Sequence, residues 1–258
     1  MNRKYKNIIK AVERSGKIIA GYFGKDFKRY NKKAGLDFYT QADLKSESNL
    51  IKAVKKDFPG YNILAEEKGL IDKKSDYTFV IDPLDGTLNL YQGIPYFSVT
   101  LGLLKKDEAV FAVTHNPILK QTFWAIKGRG AFMNGERLRV NTNSNVNKLT
   151  VAYTTGWQQL RSDSGRNINR LYQANIQRVM SNWSPALDFC LLALGKIEAM
   201  INYDNELYDN LAGKLIAREA GARLTDLKGK KLASDRENIF LASNGARIHN
   251  HLVKVFEK

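Results

Sequence analysis

The chain has 258 residues, 43% of them hydrophobic and 26% charged, a balance that excludes collagen-like, low-complexity and membrane-spanning classes. The length suffices for a sizeable core, read as one domain over 1–258 with two lobes. Lys plus Arg is 41 against 26 Asp plus Glu, a formal charge of +15, so nucleic acid or an anionic surface is the first partner to test.

Residues 3–23 predict an amphipathic helix, with Tyr5, Ile8, Ile9, Val12, Ile19 and Phe23 on one face and Lys and Arg on the other. A second helix is expected from Gln41 to Lys56, with Leu44, Leu50, Ile51 and Val54 inward and Pro59-Gly60 after it. Short apolar strands follow at 61–65 and 78–81. A meander comes next at 97–104, 108–114 and 121–126, with turn signals at Gly128-Arg129-Gly130 and Asn134-Gly135. The polar stretch 141–148 separates an α+β lobe (1–142) from an α/β lobe (143–258). In the second lobe strands near 149–153, 177–180, 198–201, 222–225 and 238–242 alternate with helices near 164–174, 185–194, 206–219 and 246–257.

Cys190 is the only cysteine, so no internal disulfide forms; its apolar run, FCLLAL, reads as core. No apolar run is long enough to span a membrane, and the basic N-terminus lacks the continuous apolar stretch of a secretory signal. Cytoplasmic location is therefore the expectation. His115, His249 and His251 lie outside every motif and read as surface or strand-end residues.

The charge is unevenly spread. Residues 1–33 hold eleven Lys/Arg against Glu13 and Asp26, whereas 34–95 hold seven Lys against ten acids. Inside that acidic segment a buried strand delivers Asp82-Pro83-Leu84-Asp85-Gly86-Thr87. Proline stiffens the turn, glycine admits close approach of a ligand, and two carboxylates on one rigid turn can share hard divalent cations. Thr87 opens a short helix, whose free amides suit a phosphate. Glu66-Glu67 ends the preceding strand, where alternation points one acid at the cations and the other away. Asp209 lies in the first turn of its helix and Asp43 near the start of another. Singly, each acid also has a plain reading as a turn, cap or helix-dipole residue.

Together they resemble the inositol monophosphatase family, within the lithium-sensitive, magnesium-dependent phosphatases. Asp82-Pro-Leu-Asp85-Gly-Thr87-Leu-Asn89 matches its D-P-x-D-G-T-x-N motif. Tyr208-Asp209-Asn-Leu-Ala212-Gly213 through Glu219-Ala-Gly221 matches the second motif. Ala65-Glu66-Glu67, Asp37-Phe-Tyr-Thr40-Gln-Ala-Asp43 and Gly130-Ala-Phe-Met-Asn134-Gly135 match three more, in order along nearly the whole chain. The resemblance implies an α/β (α+β) fold, a layered αβαβα sandwich, and a homodimer. It implies that Glu66, Asp82, the Leu84 carbonyl, Asp85 and Asp209 hold two or three Mg²⁺ ions. Thr87 with Asp43 would activate the attacking water, Glu66 is counted with them as catalytic, and Glu67 is a nearby supporting acid. Gly86, Thr87, Asp85, Ser184, Asn202 and Asp209 would bind the substrate.

The departures concern substrate. Tyr208 replaces the usual Trp and Ala65 a Gly. Asn202 stands where many members place a Glu, and Trp183-Ser184-Pro185-Ala186 stands where they have Gly-Ser-Ala-Ala. A bulky Trp183 narrows or reshapes the sugar pocket. Inositol 1-phosphate or a related polyol phosphate is expected, with 3′-phosphonucleotides, fructose bisphosphate and histidinol phosphate as alternatives. A dual-role protein that binds RNA or transcription machinery through its basic N-terminal helix and Arg161, Arg166, Arg170 and Arg178 is the rival from another class, though no RNA-binding motif supports it.

Overall fold

The computed structural model describes residues 1–32, 38–156 and 161–256; Asp37, of the early acidic motif, lies outside them. The helices are α1 (Arg3–Ala20), α2 (Gln41–Asp57), α3 (Thr87–Gln92), α4 (Arg161–Gln173), α5 (Pro185–Ala193), α6 (Leu207–Glu219) and α7 (Ala246–Phe256). The first ten strands are β1 (Arg29–Asn31), β2 (Phe38–Thr40), β3 (Asn62–Ala65), β4 (Gly69–Ile71), β5 (Tyr77–Asp85), β6 (Ser98–Lys105), β7 (Glu108–Asn116), β8 (Gln121–Ile126), β9 (Gly130–Met133) and β10 (Glu136–Arg137). Five more follow: β11 (Thr150–Thr155), β12 (Arg178–Met180), β13 (Ala199–Tyr203), β14 (Arg223–Thr225) and β15 (Ile239–Ser243).

An eight-stranded sheet runs β10-β9-β8-β7-β6-β5-β3-β4, antiparallel except for the parallel pair β3–β5. A five-stranded sheet runs β12-β11-β13-β15-β14. Helices α1 and α2 cover one face of the large sheet through Ile8, Val12, Leu50 and Val54. Helices α5 and α6 fill the space between the sheets: Leu211 and Leu215 meet the large sheet, and Phe189 and Ala217 meet the small one. Helices α4 and α7 close the outer face with Leu171, Ile248 and Leu252. The result is the layered αβαβα sandwich. Helices α5 and α6 approach closely because residue 213 is glycine: a Cβ there would lie 2.2 Å from Phe189 Cδ2. No helix among the described residues is long and apolar enough to cross a membrane.

Several elements differ from expectation. Helix α1 stops at Ala20, before Phe23, because Gly21 closes it into a turn. Leu44, expected inward, is exposed; the buried stripe of α2 runs through Ala42, Asp43, Ser46, Glu47 and Leu50 instead. The turn expected around Gly130 includes the strand β9, and β5 continues past Pro83 to Asp85 across an irregularity in its pairing with β6. His249 is not a surface residue but fully buried in α7. The Thr225 hydroxyl donates to the Asp226 carbonyl, so His249 Nε2 donates to Thr225 Oγ1 at 2.7 Å and Nδ1 accepts from Ser243 Oγ at 2.8 Å. Burial, then the charge of Arg223, hold its pKa down at about 4. His115 is also buried, at the end of β7, and Cys190 is core as expected.

Candidate active site

Three chain segments bring acids to one cavity of about 420 Å³, lined among others by Glu66, Asp82, Leu84, Asp85, Gly86, Thr87, Asn205 and Asp209. Strand β5 supplies Asp82 and Asp85 at its C-terminal end, and α6 supplies Asp209 in its first turn. One carboxylate oxygen from each of these three lies within 4.8 Å of the others. Each side chain is anchored through the protein's own donors. Asp82 Oδ1 accepts from the Leu84 amide at 2.8 Å, and Asp209 Oδ2 from the Glu206 amide at 3.1 Å. Asp85 Oδ2 accepts from Ser184 Oγ (2.6 Å), Ser98 Oγ (3.1 Å) and the Ala186 amide (3.1 Å).

Collecting these groups is costly without positive charge. Burial first, then repulsion from Glu66 and the neighbouring aspartates, pushes Asp82 and Asp209 well above the usual carboxylate range. Burial likewise raises Asp85 to about 7, although the Ser184 and Ser98 hydroxyls favour its ionised form. Glu66 lines the same cavity but engages a cation the protein itself provides. Lys32 Nζ sits 2.6 Å from Glu66 Oε1 and 2.8 Å from Glu67 Oε1. Glu67 is raised to about 7, by burial first and then by Glu66. A convergent set of carboxylate oxygens is the donor chemistry that hard divalent cations take, so the residues fit a metal site.

Beside the acids stands a hydroxyl–carboxylate pair. Thr87 Oγ1 lies 3.1 Å from Asp43 Oδ1 and 3.0 Å from the Leu84 carbonyl. Asp43 is wholly buried and closes a capping box at the start of α2, accepting from the Thr40 amide (2.8 Å) and hydroxyl (2.5 Å). Burial, opposed by the Thr40 hydrogen bonds, raises it to about 6. Gly86 turns the chain between them at φ +93°, where a Cβ would press on Tyr96 O at 3.1 Å, so only glycine fits.

Two expected substrate residues do not face the cavity. Asn202 is fully buried, its amide donating to the Asn238 carbonyl at 2.7 Å and its Oδ1 accepting from Asn205 at 2.9 Å. It steadies Asn205, which lines the cavity and which no sequence motif marks. Ser184 is buried behind Asp85 and serves as its hydrogen-bond donor. Lys32 was also missed: one lysine in a basic run carries no pattern that marks it.

Carboxylates converging beside a hydroxyl–carboxylate pair, on a layered αβαβα sandwich, define a metal-dependent hydrolase. The sequence model of the inositol monophosphatase family matches residues 2–258, so the chain belongs to that family and is a phosphatase. It is 33% identical over 248 residues to a fructose-1,6-bisphosphatase/inositol-1-monophosphatase of Thermotoga maritima, covering 96% of this chain and 93% of that one. It is 34% identical over 235 residues to the Nus factor SuhB of Pasteurella multocida, covering 89% and 87%. Among solved structures, the extragenic suppressor protein SuhB of Bartonella henselae superposes with a TM-score of 0.91 at 28% identity, covering 100% and 99%. An inositol monophosphatase of Thermotoga maritima gives 0.87 at 31%, covering 96% and 94%.

Proposed function

We propose that the chain is a Mg²⁺-dependent phosphomonoesterase that hydrolyses inositol 1-phosphate or a related small polyol or sugar phosphate by direct attack of water. The observation that carries this reading is the trio Asp82, Asp85 and Asp209, its oxygens within 4.8 Å, next to the Thr87–Asp43 pair. Glu66, Asp82, the Leu84 carbonyl, Asp85 and Asp209 would hold two or three ions. Bound Mg²⁺ would neutralise the phosphate dianion, acidify a water and stabilise the leaving alkoxide.

The protein's own groups do the rest. Asp43, fixed by Thr40, orients the Thr87 hydroxyl, and this pair positions the attacking water and takes its proton. The turn at Gly86 and Thr87 seats the phosphate, and Asn205 reads a hydroxyl of the alcohol. Ser184 and Ser98 aim Asp85 and favour its ionised form against the pull of burial. A homodimer is the proposed assembly, checked by sedimentation.

Phosphate release from a panel of inositol, sugar and nucleotide monoesters, titrated with Mg²⁺, tests the reading. No release from any ester at any Mg²⁺ concentration, with the fold intact, sinks it. A second reading adds RNA binding to catalysis. Arg3, Lys4, Lys6, Lys10, Arg14 and Lys17 form an exposed face on α1, and several relatives carry the name Nus factor SuhB. Phosphate contacts weaken as salt rises, so a binding curve indifferent to salt excludes it.

A further inference from the structure

We propose that Glu47 is a positioning residue for Glu66, within a polar stripe of α2 that sets the separate pieces of the metal site in register. The inference rests on the metal-dependent reading above and deepens it.

Glu47 is wholly buried and takes no part in the chemistry described so far. A buried carboxyl burdens the fold unless its oxygens find donors. Glu47 Oε2 finds two, the backbone N–H of Glu67 at 2.9 Å and that of Lys68 at 3.3 Å. Its Oε1 has no hydrogen-bond partner among the described residues. The residue just before those two N–H groups is Glu66. Its own N–H donates at 3.2 Å to the carbonyl of Ile81, the neighbour of Asp82. Glu66 therefore sits on a segment pinned to β5 on one side and to α2 on the other.

The rest of the stripe acts on the same site. Positions 43, 46 and 47 fall at i, i+3 and i+4, on one face of α2, and all three are wholly buried. Each reaches a different part of the site. Asp43 accepts from Thr87 Oγ1 at 3.1 Å, and Ser46 Oγ donates at 2.7 Å to the Pro83 carbonyl, between Asp82 and Leu84. Glu47 takes the turn beside Glu66. The inner face of a helix packed on a sheet is ordinarily apolar, as α2 is further along at Leu50, Ile51 and Val54. One rigid helix thus sets the spacing of the water-positioning pair, the Asp82–Asp85 turn and Glu66. Glu66 stands outside the convergent trio of Asp82, Asp85 and Asp209 and lies 2.6 Å from Lys32 Nζ, so its aim depends on the segment that carries it. Loss of a partner that orients a metal ligand typically weakens metal binding about 10–100-fold.

The test uses Mn²⁺ as the probe cation, its binding followed by loss of the free-ion electron paramagnetic resonance signal, in the wild type, E47M and E47Q. Methionine keeps the bulk and removes the acceptor; glutamine keeps an oxygen for the two N–H groups. E47M is expected to weaken Mn²⁺ binding about tenfold or more, and E47Q to recover most of the loss. In an E66A background E47M adds less than about a twofold loss, because Glu47 acts through Glu66. The Mg²⁺ concentration for half-maximal phosphate release rises in step with the Mn²⁺ loss. Mn²⁺ affinity unchanged in E47M, or lowered as much in E66A as in the wild type, overturns the proposal, even where Tm falls. Should E47M not fold, E47D, whose carboxyl stops one carbon short, replaces it with the same expected loss. Phosphate release with Mn²⁺ affinity indifferent to residue 47 overturns this proposal alone. Mn²⁺ affinity that falls in E47M, with no ester hydrolysed by the wild type, overturns the proposed hydrolysis alone. A wild type that binds no Mn²⁺ overturns both.

Discussion

Helix α6 takes part in two buried charge clusters. In its first turn Asp209 meets Asp82 and Asp85, like charge against like charge, and all three carboxyls are pushed up toward the neutral form. Further along the helix, Arg218 reaches Asp235 with Nη2 at 2.5 Å from Oδ1 and Nη1 at 3.1 Å from Oδ2. The Ala109 amide adds a third bond to that carboxylate at 2.8 Å. Burial pulls Asp235 upward too, but the hydrogen bonds and charge of Arg218 outweigh it, and its pKa ends below the ordinary value. Burial raises every one of these carboxyls, and the shifts part where Arg218 supplies hydrogen bonds and charge. A cluster that carries its own counter-charge stabilises the fold; one assembled without it is arranged for a cation from outside.

The largest expected effect breaks the first cluster. Asp82→Asn lowers phosphate release about a thousandfold or more, because the amide is a poorer ligand for a hard cation. In chelator, the same variant melts no lower than wild type, because one buried like charge is gone; a clear drop in Tm would show that Asp82 supports the fold rather than metal. Next comes Arg218→Met, which strands Asp235 and costs about 1–2 kcal/mol by denaturant titration, less than a fully buried pair because the guanidinium is 36% exposed, with Asp235→Asn in the same chain recovering part of it. Equal losses in the single and double variants would make the loss one of packing.

The smallest effect sharpens the second cluster. Lys214 is buried beside it, donating to the Asp235 carbonyl at 3.0 Å and lying 4.2 Å from the Phe240 ring centre. Burial lowers its pKa to about 7. The folded value lies below the unfolded one, so its contribution is fully present above about pH 10.5 and is lost as pH falls toward 7. Wild-type stability should therefore gain a rising component across that window. Lys214→Met should remove it, while changing stability at pH 7 by about 1 kcal/mol or less, since loss of a buried ammonium and orphaning of carbonyls oppose one another. Parallel pH curves for the two proteins would refute the assignment.

Much of this was legible in the residues because local pattern and tertiary role coincide. The apolar stripes of α1 and α6 and the alternation of β6 to β8 follow directly from side-chain periodicity. Asp82 and Asp85 could be singled out because a rigid turn at a strand end needs little context, whereas Asp209 joined them only through the resemblance to the inositol monophosphatase family. Where neighbours decide, the sequence was silent. Pro83 hides the continuation of β5, because proline in a strand ordinarily ends it. Leu44 looks inward by hydropathy, yet the turn that buries Asp43 beneath Thr87 leaves it outside. Whether Asn202 faces a ligand or a carbonyl depends on Asn238, thirty-six positions away. Trp183 stood out as an exchange, but nothing beside it in the sequence marks its left-handed backbone, φ +56°.

The glycine at 213 has a consequence for the chemistry. It lies about one helical turn beyond Asp209. Helix α5, which it touches at Phe189, begins immediately after Ser184, the donor that aims Asp85. The gap between Asp85 and Asp209 is thus gauged by a hydrocarbon contact in the interior. A cation held there would meet a spacing set in part by a residue that touches none of its ligand oxygens.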